Sequence, residues 1–559
     1  MLPNLQNLLQ APPGPAGDLV RIVPALPDGF TRLCSGERLL VEATLSSSAS
    51  AAVAVALLYA PVADEQDWHV EPLARAGNVW SVRIAFPQRG PWLARLVYTR
   101  DGQLWQTERA DWITVLVDPP SVDNLRVYTM IPRFSGPYSA WPGWFEKAAA
   151  MGFNAIHILP VTPSAYSHSP YAPSEHENAE PLYCDPADPR PALAQWEDVA
   201  AAAGRLGLRL IVDLVLNHVG VGGRVATNHP EWLTPDGNEA DGIMRSGWSD
   251  NRTRHVWRDL ALLRYDHPHP ALRQTLWEHM ASYARFWSRY AAATNGLIRL
   301  DNLHGSDPAF VAWLLAHLRH EFPGVGLWAE MFSTHDVIVR CVPEYGIDLL
   351  LATSWEHHFV PPLRAFLQHL RAHSPALRHL SPVLSHDSGG IAQEFGGISA
   401  TLPRYVLAAL FTDGRTGLVQ GVETGMTQHP GFIGPPCCPP PDFGGSDFRA
   451  PITKINRLLD REAIFRAPAT LRFVDDNHDA IIAAVRTDAL GTPRYLMLCN
   501  FDGLHPQILT VDTQRHALAL AAQTATDELT GTTVTLTPPL LRLTLAPCQA
   551  LVLRLAAKP

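Results

Sequence analysis

Eight short apolar segments that alternate with helical segments constrain the fold of residues 119–450 more than any other feature. The helical segments between them, such as WFEKAAAM and PALAQWEDVAAAAGRL, repeat apolar residues at three- and four-residue spacing. Strands that alternate with helices form a parallel sheet, and eight such units close a barrel. The sequence therefore predicts an α/β fold, a (β/α)8 TIM barrel. Its strands are LRVYTMI (125–131), NAIHIL (154–159), LRLIVDLV (208–215), GLIRLD (296–301), VGLWAE (325–330), IDLLLATSW (347–355), PVLSHD (382–387) and GLVQGVE (417–423).

Segments of alternating polarity without helices between them flank this region on both sides. Short segments of this kind run from Glu37 to Val117, and two prolines at 119 and 120 stop the last of them. The chain returns to the same pattern after a loop rich in Pro, Gly and Cys at 429–445. We expect an N-terminal β-sandwich domain at 1–118, the catalytic barrel at 119–450 and a C-terminal all-β domain at 451–559.

The widest gap between predicted barrel strands lies between the third and the fourth. About fifty residues (219–268) precede the next helix there, and they contain Trp232, Trp248 and Trp257. We interpret this segment as an excursion over the barrel mouth. Because aromatic faces can stack on flat apolar rings, these three tryptophans are candidates for contacts with a ligand.

Composition excludes several classes of protein. Of the 559 residues, 47% are hydrophobic and 18% charged, which is not the composition of a disordered chain. A net charge of −10 without a long basic run predicts no nucleic-acid partner and no anionic membrane surface. The first residues lack the pattern of a secretory signal, and no apolar stretch reaches the ~20 residues of a membrane span, so we expect a cytoplasmic protein. Seven scattered cysteines are expected to be mainly reduced thiols.

Carboxylates stand at or near the ends of four predicted barrel strands, at Asp213, Asp301, Glu330 and Asp387. The carboxyl ends of barrel strands form the catalytic face, so these acids should converge. Two carboxyl groups ~5–5.5 Å apart can break a glycosidic bond with retention. Arg299 should point to the same side as Asp301 and keep it ionised, whereas apolar neighbours should raise the pKa of Glu330 towards that of a general acid.

Four short segments carry a resemblance to a known family. DLVLNH (213–218), GLIRLDNLH (296–304), WAEMF (328–332) and SHD (385–387) resemble, in order and strand position, the motifs of the α-amylase family, glycoside hydrolase family 13. The resemblance implies that Asp301 is the nucleophile, Glu330 the acid/base and Asp387 the stabiliser of the transition state. It also implies a (β/α)8 fold and further residues around the bound sugar. These substrate-binding candidates are Arg299, His218, His386, Tyr171, Asp213, Asn217 and His304.

Local details narrow the resemblance within that family. Asn302 and His304 follow Asp301 in a pattern that resembles the 4-α-glucanotransferase half of glycogen debranching enzymes, and also the maltosyltransferases that use maltose 1-phosphate. The His386-Asp387 dipeptide is shared by hydrolases and glucanotransferases, so the phosphate-using enzymes rank lower. We therefore expect a retaining enzyme that cleaves α-1,4-glucan or malto-oligosaccharide, either as a 4-α-glucanotransferase or as an α-amylase-type hydrolase.

Two further alternatives remain at this point. The chain could be a non-catalytic amylase-like protein that binds carbohydrate or a partner, although such a protein would not need nucleophile, acid and stabiliser together. Asn217 matches a position that often holds calcium in the family, but the excursion offers no clear cluster of oxygen ligands. No metal and no cofactor are predicted.

Overall fold

The structure is a computed structural model of the chain. It describes residues 5–14, 19–23, 28–45, 54–62, 67–107, 112–249, 253–374, 376–428, 431–437, 446–467, 470–518, 520 and 524–555.

Two β-sheets form the N-terminal part of the chain, as predicted. One sheet has the strand order β1-β3-β7-β6, and the other has the order β2-β10-β8-β4-β5 with β9 added beside β8. Buried Trp80 and Trp92 belong to the core between them. The strands are β1 (Leu19–Val23), β2 (Phe30–Cys34), β3 (Arg38–Leu45), β4 (Ala54–Pro61), β5 (His69–Pro72), β6 (Ala74–Ala76), β7 (Val79–Ala85), β8 (Gly90–Thr99), β9 (Trp105–Thr107) and β10 (Ile113–Asp118).

Eight parallel strands then close a barrel in the order of the sequence, which confirms the predicted fold. Eleven strands lie in this region because the segment after the third barrel strand adds three of its own. They are β11 (Arg126–Met130), β12 (Ala155–Ile158), β13 (Arg209–Val215), β14 (His218–Gly220), β15 (Arg245–Ser249), β16 (Arg254–Leu262), β17 (Leu297–Asp301), β18 (Gly326–Ala329), β19 (Leu349–Leu351), β20 (His379–Pro382) and β21 (Thr416–Val419).

Helices cover the outside of the barrel, and their apolar residues join the strands in one large core. The longest helix, 24 residues, lies between the third and fourth barrel strands, where the sequence predicts it. The helices are α1 (Leu5–Leu9), α2 (Trp141–Ala150), α3 (Ala192–Arg205), α4 (Arg224–Asn228), α5 (Pro270–Ala293), α6 (Pro308–Glu321), α7 (His335–Tyr345), α8 (Val360–His373), α9 (Ile391–Phe395), α10 (Thr401–Leu410) and α11 (Arg449–Arg461).

The seventh barrel strand ends earlier than predicted. We expected it at 382–387 with Asp387 at its end, but β20 covers His379–Pro382 and Asp387 follows in a loop. The last sheet contact is the Val383 N–H, which donates to Gly417 O at 3.0 Å. Ser385 then accepts the backbone N–H of Asp387 at 3.0 Å and forms a local turn. Such turns compete with strand pairing, which explains the difference.

The segment 219–268 contains a three-stranded antiparallel sheet of order β14-β16-β15. The sheet starts at His218, three residues after the end of the third barrel strand, and ends at Leu262, before α5. Trp248 on β15 and Trp257 on β16 are 49% and 38% exposed, whereas Trp232 is 5% exposed. The sheet therefore presents two of the three predicted tryptophans on its surface and buries the third.

The C-terminal part is all β, with one six-stranded sheet of order β22-β23-β24-β29-β26-β27 and a separate β25-β28 pair. Helix α11 precedes it and spans residue 450, so the predicted limit between the second and third domains falls inside a helix. The domain limits themselves stay a prediction. The strands are β22 (Leu471–Phe473), β23 (Ile481–Thr487), β24 (Pro493–Asn500), β25 (Gln507–Asp512), β26 (Thr524–Asp527), β27 (Thr533–Thr535), β28 (Leu540–Leu545) and β29 (Ala550–Leu555).

The cysteines of the described residues are free thiols, at positions 34, 184, 341, 437, 499 and 548. Cys438 lies outside the described residues. Within the part of the chain that the structure describes, no helix has both the length and the apolar character needed to cross a bilayer.

Candidate active site

Arg299 is the centre of the site. Its side chain is 2% exposed on β17, and the register places it beside Asp213 of β13 and Trp328 of β18. The Nη1 atom lies 2.7 Å from Oδ2 of Asp213 and 3.1 Å from Oδ1 of Asp301. The Nη2 atom lies 3.0 Å from Oε2 of Glu330. One guanidinium therefore holds three carboxylates from three adjacent barrel strands or their ends.

Asp301 and Glu330 consequently face each other across the breadth of one guanidinium. The side chain of each is 11% exposed. Asn302, directly after β17, has a φ of 43°, a left-handed conformation that Asn tolerates better than most residues. This turn lets the backbone N–H of Asn302 donate to Oε2 of Glu330 at 2.9 Å. The sequence prediction that the two acids lie together at one barrel mouth agrees with this geometry.

Tyr171 hydrogen-bonds to both Asp213 and Arg299. Its hydroxyl donates to Oδ2 of Asp213 at 2.9 Å and accepts from Nη1 of Arg299 at 3.1 Å. The Nε2 atom of His386 lies 2.8 Å from that hydroxyl, and the two rings stack at 5.3 Å with an interplanar angle of 12°. Tyr171 and His386 thus join the loop after the second strand to the loop after the seventh.

His157 is a member of this network that the sequence analysis missed. It lies on β12, and its Nε2 atom is 3.1 Å from Oδ2 of Asp213. Its Nδ1 atom is 3.2 Å from the hydroxyl of Thr129. The signal in the sequence was a polar residue inside the otherwise apolar strand Ala-Ile-His-Ile.

Asp387 is placed differently from the other acids. Its side chain is 53% exposed, and Oδ2 lies 3.2 Å from Nε2 of His386 and 3.3 Å from the Ser385 hydroxyl. It lines the same cleft as Asp301 and Glu330. The position in a loop leaves Asp387 more exposed to solvent than a strand end would.

The electrostatics of the buried acids follow from this arrangement. Burial raises the pKa of Asp301 well above its usual value, and the carboxylates of Glu330, Asp213 and Asp387 act in the same direction against the cation of Arg299. The expected effect of Arg299 on Asp301 is therefore present but outweighed. Burial would also raise the pKa of Asp213, but Arg299 and His157 lower it below its usual value. Asp213 is thus the stable anion of the group.

A cleft of about 700 Å³ opens above these groups. The predicted residues Tyr171, His218, His304 and His386 line it together with the three candidate catalytic acids. Apolar and aromatic side chains supply much of the remaining wall: Trp248, Trp257, Leu260, Phe332, Phe432 and Ile433. Trp232 does not belong to this wall, because it is buried and stacks on His229 at 3.8 Å.

Three of the predicted substrate contacts lie behind the wall of the cleft instead of on it. The side chains of Asp213 and Arg299 are 0% and 2% exposed. Asn217 is 2% exposed, and its side chain contacts the Nδ1 atom of His218. Nε2 of His218 in turn lies 2.8 Å from Tyr171 O, and burial lowers the pKa of this histidine to about 4. Asn217 thus contacts His218 from behind the cleft, and burial of the ring favours the neutral form of His218.

Part of the chain is similar to known proteins. The sequence model of a family described as "Glycogen debranching enzyme, glucanotransferase domain" matches residues 119–233. An alpha-1,4-glucan:maltose-1-phosphate maltosyltransferase of Rhodospirillum rubrum is 25% identical over 248 residues, which are 40% of this chain and 33% of the relative. The enzyme of the same name from Mycolicibacterium smegmatis is 27% identical over 251 residues, 39% of this chain and 33% of the relative. The chain thus spans about a third of the length of these curated relatives.

Solved structures share the fold. An alpha-amylase from Lactobacillus plantarum superposes with a TM-score of 0.60 at 16% identity, over 78% of this chain and 99% of that one. A cyclomaltodextrinase superposes with a TM-score of 0.60 at 15% identity, over 95% of this chain and 99% of that one. These structures show that the chain shares the barrel fold, while residues 119–233 and the four motifs around Arg299 are similar to the α-amylase family, glycoside hydrolase family 13.

Proposed function

We propose that the chain is a retaining enzyme that cleaves α-1,4-glucosidic bonds of glucans or malto-oligosaccharides through a covalent glycosyl-enzyme. The observation that carries the proposal is the contact of both Asp301 and Glu330 with one guanidinium at the floor of an open cleft. A non-catalytic binding protein of another class would not require two buried acids held on a shared cation.

The chemistry assigns one role to each acid. Asp301 attacks the anomeric carbon while Glu330 protonates the leaving glycosidic oxygen. Glu330 then deprotonates the acceptor, whose oxygen attacks the anomeric carbon, breaks its bond to Asp301 and releases the carboxylate. This sequence needs one proton on the pair before the first step. For the first step that proton must lie on Glu330 while Asp301 is ionised, and the contact with Nη1 of Arg299 opposes the burial that raises the pKa of Asp301. Asp387, on the rim of the cleft, is proposed to bind sugar hydroxyls.

We favour transfer to a sugar acceptor over hydrolysis. The matched family model is described as a glucanotransferase domain, and the two curated relatives are named maltosyltransferases. The wall of the cleft carries two partly exposed tryptophans, Trp248 and Trp257, on the excursion sheet. Aromatic surfaces of this kind hold sugar rings and exclude water, which favours a sugar hydroxyl as acceptor.

Maltosyl transfer from maltose 1-phosphate is the second candidate, because the curated relatives have that name. The structure offers little to bind the phosphate. Among the described residues that line the cleft there is no Lys or Arg. The buried Arg299 is already engaged with three carboxylates. Phosphate recognition normally uses such cations, so this candidate ranks second.

Product analysis from maltoheptaose tests the proposal. The unaltered protein should yield a ladder of longer and shorter malto-oligosaccharides, and more short acceptor products when glucose is added. Asp301→Asn should abolish the ladder, whereas Asp479→Asn, the same change at an exposed position of the C-terminal part, should leave it unchanged. Short products alone would indicate hydrolysis, and maltose 1-phosphate formed on addition of inorganic phosphate would indicate the second candidate. Near-full turnover by Asp301→Asn, or binding without any product, would contradict the proposal.

A further inference from the structure

Three histidines outside the cleft meet on the surface of the barrel. His335 is the first residue of α7, and His369 and His373 lie one turn apart on α8. Their ring centroids are 4.2 Å (His335–His373), 4.6 Å (His369–His373) and 5.1 Å (His335–His369) apart. None of the three lines the cleft. Two consecutive helices, α7 and α8, thus bring three imidazoles into contact.

The spacing of the ring nitrogens suits one metal ion. One nitrogen of each ring lies within 4.8 Å of the others. Ligand atoms bound to a tetrahedral metal at ~2.1 Å are about 3.4 Å apart, so the rings need only small rotations. The side chains of His335 and His373 are 34% and 24% exposed, and His369 is exposed. An ion can therefore reach the group from solvent.

A buried carboxylate from the N-terminal part completes the cluster. The side chain of Asp28, just before β2, is 3% exposed. Its Oδ1 atom lies 2.7 Å from Nδ1 of His373 and 3.4 Å from Nε2 of His335. Its Oδ2 atom is buried without a hydrogen-bond partner among the described residues. These contacts leave Nε2 of His373 and Nδ1 of His335 for a cation, the usual pairing of a carboxylate with a metal-bound histidine.

We propose that His335, His369 and His373 bind one divalent transition-metal ion, with Zn²⁺ as the best fit, and that Asp28 orients two of the three rings. Imidazole nitrogens suit Zn²⁺, Ni²⁺ and Cu²⁺ and not Ca²⁺ or Mg²⁺, which require oxygen ligands. Three protein ligands leave a fourth position for water. This proposal revises the sequence expectation that the chain has no metal site. Asp28 comes from the N-terminal part of the chain and the histidines come from the barrel. By holding the histidines in place, the ion would stabilise the contact between the two parts.

Metal titration of the full chain, without an affinity tag and after treatment with a chelator, tests the proposal. In competition with a chromophoric chelator, the unaltered protein should bind one tight equivalent of Zn²⁺. His369→Ala and His373→Ala should lose that equivalent, and Asp28→Asn should bind about 10- to 100-fold more weakly. His505→Ala, at a side chain 72% exposed in the C-terminal part, is the control and should bind as tightly as the unaltered protein. Ca²⁺ should not compete.

A second readout separates metal binding from a simple ion pair between Asp28 and protonated histidines. Zn²⁺ should raise the thermal unfolding midpoint of the unaltered protein but not that of His369→Ala, whose side chain is exposed and whose loss should leave the fold intact. Co²⁺ in place of Zn²⁺ should give visible absorption bands that His369→Ala lacks. No stoichiometric binding, or equal Zn²⁺ affinity in His369→Ala, His373→Ala and the unaltered protein, would overturn the proposal.

Discussion

Asp301 shows how burial and neighbouring charges change the ionisation of a single carboxyl. Its carboxyl is buried beside Glu330, Asp213 and Asp387, and these surroundings raise its pKa well above the usual value despite the cation of Arg299. A carboxyl whose pKa is higher in the folded than in the unfolded state binds more protons when folded. The free energy of unfolding therefore falls as pH rises from the unfolded pKa of about 3.9 through the folded one.

The first prediction follows from this fall in the free energy of unfolding with rising pH. Asp301→Asn removes the titrating group, while Arg299 keeps Asp213 and Glu330 as partners. The variant should match the unaltered protein in thermal midpoint at about pH 4 and should exceed it increasingly as the pH rises towards neutrality. Scanning calorimetry across this range measures the difference. A midpoint below that of the unaltered protein at neutral pH would show that Asp301 stabilises the fold instead.

Tyr171 is the second residue with a measurable role, because its hydroxyl contacts Asp213, Arg299 and Nε2 of His386. Tyr171→Phe keeps the ring but removes a bond to a charged partner. Such bonds contribute about 1.5–3 kcal/mol, so we expect kcat/KM to fall about 10- to 100-fold. Tyr166→Phe, at a tyrosine that is 66% exposed, is the control. Equal kcat/KM values for the two variants would show that the Tyr171 hydroxyl contributes nothing to the reaction.

For single residues, the sequence predicted the convergence of the two acids better than it predicted the residues that contact them. Asp301 and Glu330 could be placed together because parallel barrel strands bring their carboxyl ends to one face. The sequence could not show that Arg299 and Asn217 lie behind the wall of the cleft, because a motif does not reveal how far a side chain is buried, and their proposed contacts with substrate stay a prediction. His157 was missed because a lone histidine on an apolar strand is more often a structural group.

Among the secondary-structure elements, we expect the excursion sheet β14–β16 to contribute most to substrate specificity. It places Trp248 and Trp257 on the wall of the cleft, and Trp248 stacks on His255 at 4.2 Å. A ring supported in this way presents a fixed flat face to a sugar. We therefore expect the excursion to contribute contacts with the substrate and the ends of the barrel strands to contribute the reacting groups.

The third prediction concerns this sheet. Trp248→Ala should raise KM for long malto-oligosaccharides about 2- to 10-fold, because an aromatic contact is worth about 0.5–1.5 kcal/mol. It should leave kcat near that of the unaltered protein, since Trp248 lies away from the carboxyl pair on a different element. Phe359→Ala, at a side chain 76% exposed outside the cleft, is the matched control. An unchanged KM in Trp248→Ala would place sugar binding elsewhere on the wall.

The sequence pattern predicted elements well where apolar runs were long and less well near their ends. β13 and β17 lie within their predicted segments because both are continuous buried runs. β20 lies before its predicted segment, because the sequence of Ser385 and its neighbours is compatible with either a strand or a turn. β1 and β2 were not predicted, since they lie before Glu37, where prolines and glycines obscure the alternation.

In the whole molecule, a buried ionic network joins the N-terminal sheets to the barrel. Asp118, at the end of β10, contacts both Arg32 on β2 and Arg378 just before β20, the latter at 2.5 Å. Arg32 also donates to Ile347 O at 2.9 Å and to Ala376 O at 2.8 Å, both in the barrel. Arg89 bonds to Asp348 at 2.7 Å across the same junction. The N-terminal sheets are therefore held by specific polar contacts and not only by apolar packing.

The last prediction tests this junction. Asp118→Ala leaves Arg32, whose side chain is 1% exposed, and Arg378, at 13%, without their shared anion. Removal of one partner from a buried ion pair costs about 3–5 kcal/mol, so the free energy of unfolding in urea should fall by that amount. Asp460→Ala is the control, since Asp460 is 51% exposed and its bond to Arg126 should be worth about 1 kcal/mol or less. Equal losses in the two variants would mean that the junction relaxes or admits water, and that apolar packing alone holds the sheets to the barrel.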